Sequence, residues 1–169
     1  KSGTTGAGRK TTQGTHFPEC NEAFSAYKVA NHRHTPEIEQ TLTLVGGEKA
    51  TVTFVPHLLP VNRGILSTIY AKLKPGASLA AVRAVYEKAY TNEKFVRLLP
   101  EGTGVDIRNI QCSNYCDIQL YADEHTGLLI VTAVIDNMVK GAAGQAIQNM
   151  NLLCGIEEST GIDMIPTAF

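Results

Sequence analysis

Three stretches of the chain carry side chains whose types and spacing suit chemistry. In Lys1-Ser-Gly-Thr-Thr-Gly-Ala-Gly-Arg-Lys10, three glycines are followed by two cations, Arg9 and Lys10. Free backbone N–H groups backed by cations suit a phosphate or another anion, although an ordinary surface loop has the same composition. The second stretch is His32-Arg33-His34. Imidazole titrates near neutrality and is the usual general acid or base. Thr35-Pro36-Glu37 follows at once and reads as a helix start, with Thr35 as the cap and Pro36 as the first helical residue. The positive end of that helix favours a neutral imidazole able to accept a proton. Two solvent-exposed histidines flanking an arginine are the alternative. The third stretch, Lys140 to Asn151, opens on small residues and then presents Gln145, Gln148, Asn149 and Asn151. Carboxamides gain little inside a helix, so four in seven residues ask for a reason. Gln145, Gln148 and Asn149 share a helical face and suit pairing with another amide; a solvated polar face accounts for them equally.

The elements that must hold these residues come from a chain of 169 residues, long enough for one domain with a real core. Charged residues make up 18% and the net charge is −1, with the cations scattered, which argues against a general electrostatic grip on nucleic acid or anionic lipid. No apolar run approaches the roughly 18 residues of a membrane span, and residues 1–13 have no signal-peptide core. Cys20, Cys112, Cys116 and Cys154 make no zinc-site spacing, so no metal is expected, and they read as four reduced thiols.

Along the chain, Ile38, Leu42 and Val45 continue the first helix until Gly46-Gly47 ends it. Thr51–Val55 alternates as a strand, residues 56–62 hold two prolines and read as a loop, and Gly64–Leu73 is a longer strand. Ser78 caps a second helix with Leu79, Val82, Tyr86 and Ala89 facing inward. Ile107–Ile110 and Cys116–Leu120 read as strands. The turn Asp123–Gly127 and the apolar run Leu128–Ile135 complete a hairpin, and a helical period returns over Asn137–Leu153. This order predicts an α+β fold with a mixed, largely antiparallel sheet carrying helices on one face. Leu128–Ile135 is apolar on both faces, so the face without helices calls for cover by another subunit.

Ser2-Gly-Thr-Thr-Gly-Ala-Gly-Arg-Lys10, Tyr27 with His32-Arg-His-Thr-Pro-Glu-Ile38, Pro60-Val-Asn-Arg-Gly-Ile-Leu66 and Val139-Lys-Gly-Ala-Ala-Gly-Gln-Ala-Ile-Gln-Asn-Met-Asn151 occur here in the order found in N-acetyl-γ-glutamyl-phosphate reductases. The chain resembles the C-terminal half of that family, which is related to aspartate-semialdehyde dehydrogenase. The resemblance implies the C-terminal fold shared by glyceraldehyde-3-phosphate and aspartate-semialdehyde dehydrogenases. It implies reduction of N-acetyl-γ-glutamyl phosphate to N-acetylglutamate semialdehyde with NADPH in arginine biosynthesis, through a cysteine thioester. His34 matches the catalytic histidine, with His32 its nearest competitor. Arg9 and Tyr27 match substrate-side positions, and Gln145 and Asn149 match a helix beside the nicotinamide.

The family's nucleophile lies in a Gly-Cys-Tyr-Pro-Thr-like segment before the glycine loop, and none of the four cysteines here has that context. The chain is therefore expected to supply base, substrate contacts and a subunit interface, while a nucleotide-binding domain outside it holds most of the NADP site. Residues 1–138 would form the catalytic and dimerisation part, and 139–169 a helix and tail returning to that domain. Residues 1–169 alone are expected to be an inactive piece of a longer protein. A homodimer or tetramer in the cytoplasm, or the plastid of a plant, is implied, without nucleic acid or membrane as partner. A non-catalytic assembly or regulatory paralogue is the alternative.

Overall fold

Glycine and polar residues leave the start of the chain too few apolar side chains for a long element, and its backbone makes one 3-10 turn over Thr4–Ala7. The computed structural model describes residues 1–10 and 12–167, and the chain divides into two packed units, 1–61 and 62–169. In the first unit a 3-10 turn at Gln13–Thr15 leads into the short helix α1 (Phe17–Cys20). Strands β1 (Ser25–Ala26) and β2 (His57–Leu58) pair antiparallel. Between them lies helix α2 (Thr35–Gly46).

Two local expectations shift here. The cap position of α2 is His34 and not Thr35, whose hydroxyl is buried without a partner. The strand expected over Thr51–Val55 does not form, although its side chains alternate. Side chains of α2 hold its start instead: Val52 N–H donates to the Glu39 carboxylate (3.0 Å), and Ala50 N–H, just before the segment, to the Thr43 hydroxyl (3.0 Å). The residues that do pair as a strand, His57 and Leu58, fall in the segment read as a loop. Ser2 joins them by a parallel bridge.

The second unit holds β3 (Ile65–Lys72), helix α3 (Leu79–Tyr90), β4 (Val96–Leu98), β5 (Cys116–Asp123), β6 (Leu128–Ile135) and helix α4 (Gly144–Leu153). The sheet order is β3-β6-β5-β4; β6 pairs antiparallel with both neighbours, and β4 runs parallel to β5. This is the mixed, largely antiparallel sheet expected. The β5–β6 turn is closed by Asp123, whose carboxylate accepts from His125 N–H and from the Thr126 N–H and hydroxyl. Ser78 caps α3 by accepting from Ala81 N–H (3.2 Å).

Period-2 alternation puts Ile118 and Leu120 of β5 beside Leu129 and Val131 of β6 on one face. Leu79, Val82, Tyr86 and Tyr90 of α3 cover them; Tyr90, and not Ala89, completes the inward stripe. On the other face Asp117, Gln119 and Val134 are buried. The Gln119 amide donates to the carbonyls of Pro100 and Thr103 (2.6 and 2.8 Å), and Arg97 forms a two-pronged pair with Asp117. Farther along that face Tyr70 and Tyr121 remain exposed. Ile107–Ile110, read as a strand, is a 3-10 turn because the Asp106 side chain caps it through Arg108 N–H (2.8 Å). The packing division at 61/62 is separate from the division of roles expected at 138/139, whose last two residues lie outside the described residues.

Candidate functional site

In the first unit the residues singled out from the sequence sit at two places. Ser2 N–H donates to His57 O and Thr4 N–H to Val61 O, so the glycine segment is tied to the chain around β2. Gly8 then takes φ 74°, and Arg9 and Lys10 are exposed. Arg9 has no side-chain partner among the described residues, which leaves its guanidinium open to an anion.

Before α2 the backbone is forced. Lys28 and Ala30 have φ of 44° and 56°, a left-handed conformation that costs a residue with a Cβ and that collects at functional turns. Asn31 N–H reaches back to Lys28 O, and Thr35 N–H to His32 O. The effect is to stack four rings. His32 lies edge-on to Tyr27 (5.7 Å between centroids), His34 (4.8 Å) and Phe54 (5.3 Å). His32 Nδ1 accepts from His34 N–H (3.2 Å), so a proton on the His32 ring sits on Nε2 when it is neutral. Burial, followed by the positive charges of His34, Lys28 and Arg33, lowers the His32 pKa. His34 is the exposed member of the pair, at the cap position of α2. The structure thus brings Tyr27, His32 and His34 together, with Phe54 as a fourth member that the sequence did not flag. Phe54 belongs to the alternating segment read as a strand, and nothing local in it marks a stacking role.

The second unit carries the carboxamide helix. Gln148 points into its own unit: its oxygen accepts from Asn114 (2.9 Å) and Lys140 (2.7 Å), and its nitrogen donates to Glu158 (3.0 Å). Asn151 is buried and donates to the carbonyls of Glu158 and Thr160. Two of the four amides are therefore structural. Gln145 and Asn149 are exposed with no side-chain partner among the described residues, and are the two left to bind a ligand. Burial lowers the pKa of Lys140, whose ammonium also lies 5.8 Å from the Phe95 ring centre. Alongside α4, Leu153 is 88% exposed and Met150 51%, so this face of the helix is without apolar cover among the described residues.

The four thiols are free. Burial pushes Cys116 up to about 11, the reverse of what a nucleophile needs. Cys20 is buried against the carbonyls of Thr15 and Phe17. Among the described residues there is no His, Cys, Asp and Glu grouping that could hold a metal, and no helix long and apolar enough to cross a membrane.

Known proteins align with the chain along its whole length. It is 56% identical over 170 residues to the N-acetyl-gamma-glutamyl-phosphate reductase of Brachyspira hyodysenteriae, covering 100% of this chain and 48% of that protein. It is 51% identical to the reductase of the same name from Clostridium kluyveri, covering 100% and 49%. The chain thus spans about half the length of the curated relatives it matches. A probable aspartate-semialdehyde dehydrogenase from Pseudomonas aeruginosa superposes with a TM-score of 0.59 at 19% identity, over 73% of this chain and 37% of that one. Aspartate semialdehyde dehydrogenase II from Vibrio cholerae gives 0.58 at 16%, over the same shares, and these two likenesses establish the fold. With residues 1–137 matching its family description, the chain belongs to the semialdehyde dehydrogenase dimerisation domain family.

Proposed function

We propose that this chain is the catalytic and dimerisation half of an NADP-dependent N-acetyl-γ-glutamyl-phosphate reductase. The observation that carries the reading is the histidine turn, in which a neutral, ring-stacked His32 holds the backbone of an exposed His34 at the start of α2. In this reading a cysteine outside residues 1–169 attacks the acyl phosphate, phosphate leaves, and the thioester is reduced to the semialdehyde. His34 takes the thiol proton, which makes the thiolate available. His32 acts behind it, its Nδ1 fixing the backbone at His34. Arg9 and Tyr27 bind the substrate, the first through its open guanidinium and the second from beside the histidine pair.

NADPH supplies the hydride when bound. The unpartnered amides of Gln145 and Asn149 fit the carboxamide of its nicotinamide, which offers both a donor and an acceptor. Four free thiols accord with a reducing compartment, and we place the reaction in the cytoplasm. Self-association uses the sheet face on which Tyr70 and Tyr121 are exposed.

The test is acyl-phosphate-dependent oxidation of NADPH. Residues 1–169 alone should give none, because the nucleophile is elsewhere, and the intact reductase should give full turnover. Turnover by residues 1–169 alone would end the assignment of the nucleophile. An intact protein that is inert towards this substrate would end the reading as a whole. Sedimentation at micromolar concentration should show a dimer or larger, and a strict monomer would remove the sheet interface.

A further inference from the structure

The segment between β6 and α4 has a feature that none of the roles above uses. Asp136 is fully buried, and its carboxylate collects four donors. Oδ2 accepts from Cys112 N–H (2.7 Å) and Arg63 Nη1 (3.0 Å), and Oδ1 from Met138 N–H (2.7 Å) and Val139 N–H (3.2 Å). A buried carboxylate is costly unless it is met in this way. Behind it, Gly141 N–H donates to Asp136 O, Ala143 N–H to Met138 O, and Gly144 N–H to Val139 O. Each bond spans five residues where an α-helix spans four, so Val139–Ala143 is a π turn. Such turns are rare and concentrate at functional sites.

The geometric consequence is rotational. A π turn holds one residue more than an α turn, and each helical residue advances the side chains by about 100°. Removing the bulge would therefore turn the face of α4 by about that amount. The observed phase is tested by contact at Gly144, where a Cβ would lie 2.5 Å from Asn114 Oδ1 and 2.7 Å from Val139 Cγ1, so only glycine passes. One turn later Gln148 meets Asn114, Lys140 and Glu158. With Gln148 pointing inward, Gln145 and Asn149 lie about 60° and 100° around the helix on one side of it.

We propose that Asp136, held by Arg63, is a positioning residue: it fixes the π turn that sets the phase in which α4 presents Gln145 and Asn149 to a ligand carboxamide. The proposal rests on the reading of those two amides as nicotinamide contacts. The test uses Asp136→Asn, which keeps the shape but removes the charge. Arg63→Met serves as the second variant if the first folds poorly. In residues 1–169, hydrogen exchange at 138–144 should speed up, and the Gln148 side-chain amide resonances should shift, while 118–120 and 129–134 stay protected. In the intact reductase the KM for NADPH should rise on the order of tenfold, the scale of one unmet buried hydrogen bond, with the KM for the acyl phosphate unchanged.

Unchanged exchange at 138–144 would overturn the clamp. Equal loss of protection throughout the sheet would overturn it too, leaving a purely structural carboxylate. Faster exchange with an unchanged KM for NADPH would overturn the link to presentation. A parallel Gln145→Ala, Asn149→Ala variant then says where the fault lies: if it also leaves that KM unchanged, the nicotinamide reading has failed and the clamp has not.

Discussion

The two units of this chain solve the problem of placing chemistry in different ways. In residues 62–169 a four-stranded sheet and α3 bury Ile118, Leu120, Leu129 and Val131, and polar groups that go under with them, such as the side chains of Asp117, Gln119, Asp136 and Asn151, are met by named partners, whereas Asn114 Oδ1 is not. In residues 1–61 the only buried residues among those described are Gly3, Cys20 and Pro56, and the strands are two residues long. The apolar stripe of α2 begins half-buried at Ile38 and ends with Val45 84% exposed. Here the histidine turn is held by stacked rings, by left-handed residues at 28 and 30, and by side chains that take backbone amides. A region so built has little stability of its own to spend on precision, whereas the sheet unit can hold a helix to within a side-chain contact.

The largest effect should come from the less stable unit. In the intact reductase His34→Asn should lower kcat by roughly 10²–10⁴-fold, the range for a general base, and His32→Asn by less. Steady-state kinetics decides it, and a greater loss at His32 reverses the two roles. Stability should follow the opposite map. Leu120→Ala, which opens a hole under α3, should cost about 2–5 kcal/mol in denaturant unfolding. Leu44→Ala, at an exposed position on α2, should change it by less than about 0.5 kcal/mol. Equal costs would mean that α2 is buried in solution and that the contrast between units is false.

A smaller contrast separates two left-handed glycines. Gly64 has φ 110° and a Cβ there would lie 2.7 Å from Ile107 Cβ, so Gly64→Ala should add overpacking of about 1–3 kcal/mol to the strain. Gly8 has φ 74° with open space around it, so Gly8→Ala should cost only the conformational strain, about 1–2 kcal/mol. Thermal unfolding of both variants ranks them, and the reverse order would place the glycine loop inside a packed surface.

The smallest signal is the titration of His32. Its pKa is lowered, so the proton binds better to the unfolded chain. Stability linked to this ring is intact above the ordinary value near ~6.5 and is lost as pH falls from there through the folded value. Proton NMR of the ring should give a midpoint below that ordinary value. A midpoint at or above it would remove the case for a neutral His32.

What the sequence determined by itself was whatever depends on neighbours a few residues away. The Ser78 cap, the Asp123 turn with its hairpin, the start of α2 at Thr-Pro-Glu and the end of that helix at Gly47 are all closed by bonds within five residues. The four motifs carried the family in the same way, because a motif is a local string. Only the tertiary structure could decide where an element's unsatisfied groups go. Thr51–Val55 alternates like a strand, but α2 claims the amide of Val52 and that of Ala50 just before it. Val96–Leu98 is too short to signal itself and becomes a strand because β5 lies alongside it. The four carboxamides look alike in the sequence, and Asn114 and Glu158 turn Gln148 inward while Gln145 and Asn149 stay out. Asp136 could be read only as a polar residue before a helix; its role depends on Arg63, 73 residues earlier. A buried charge takes its meaning from the partner that pays for its desolvation, and the fold supplies that partner from far along the chain.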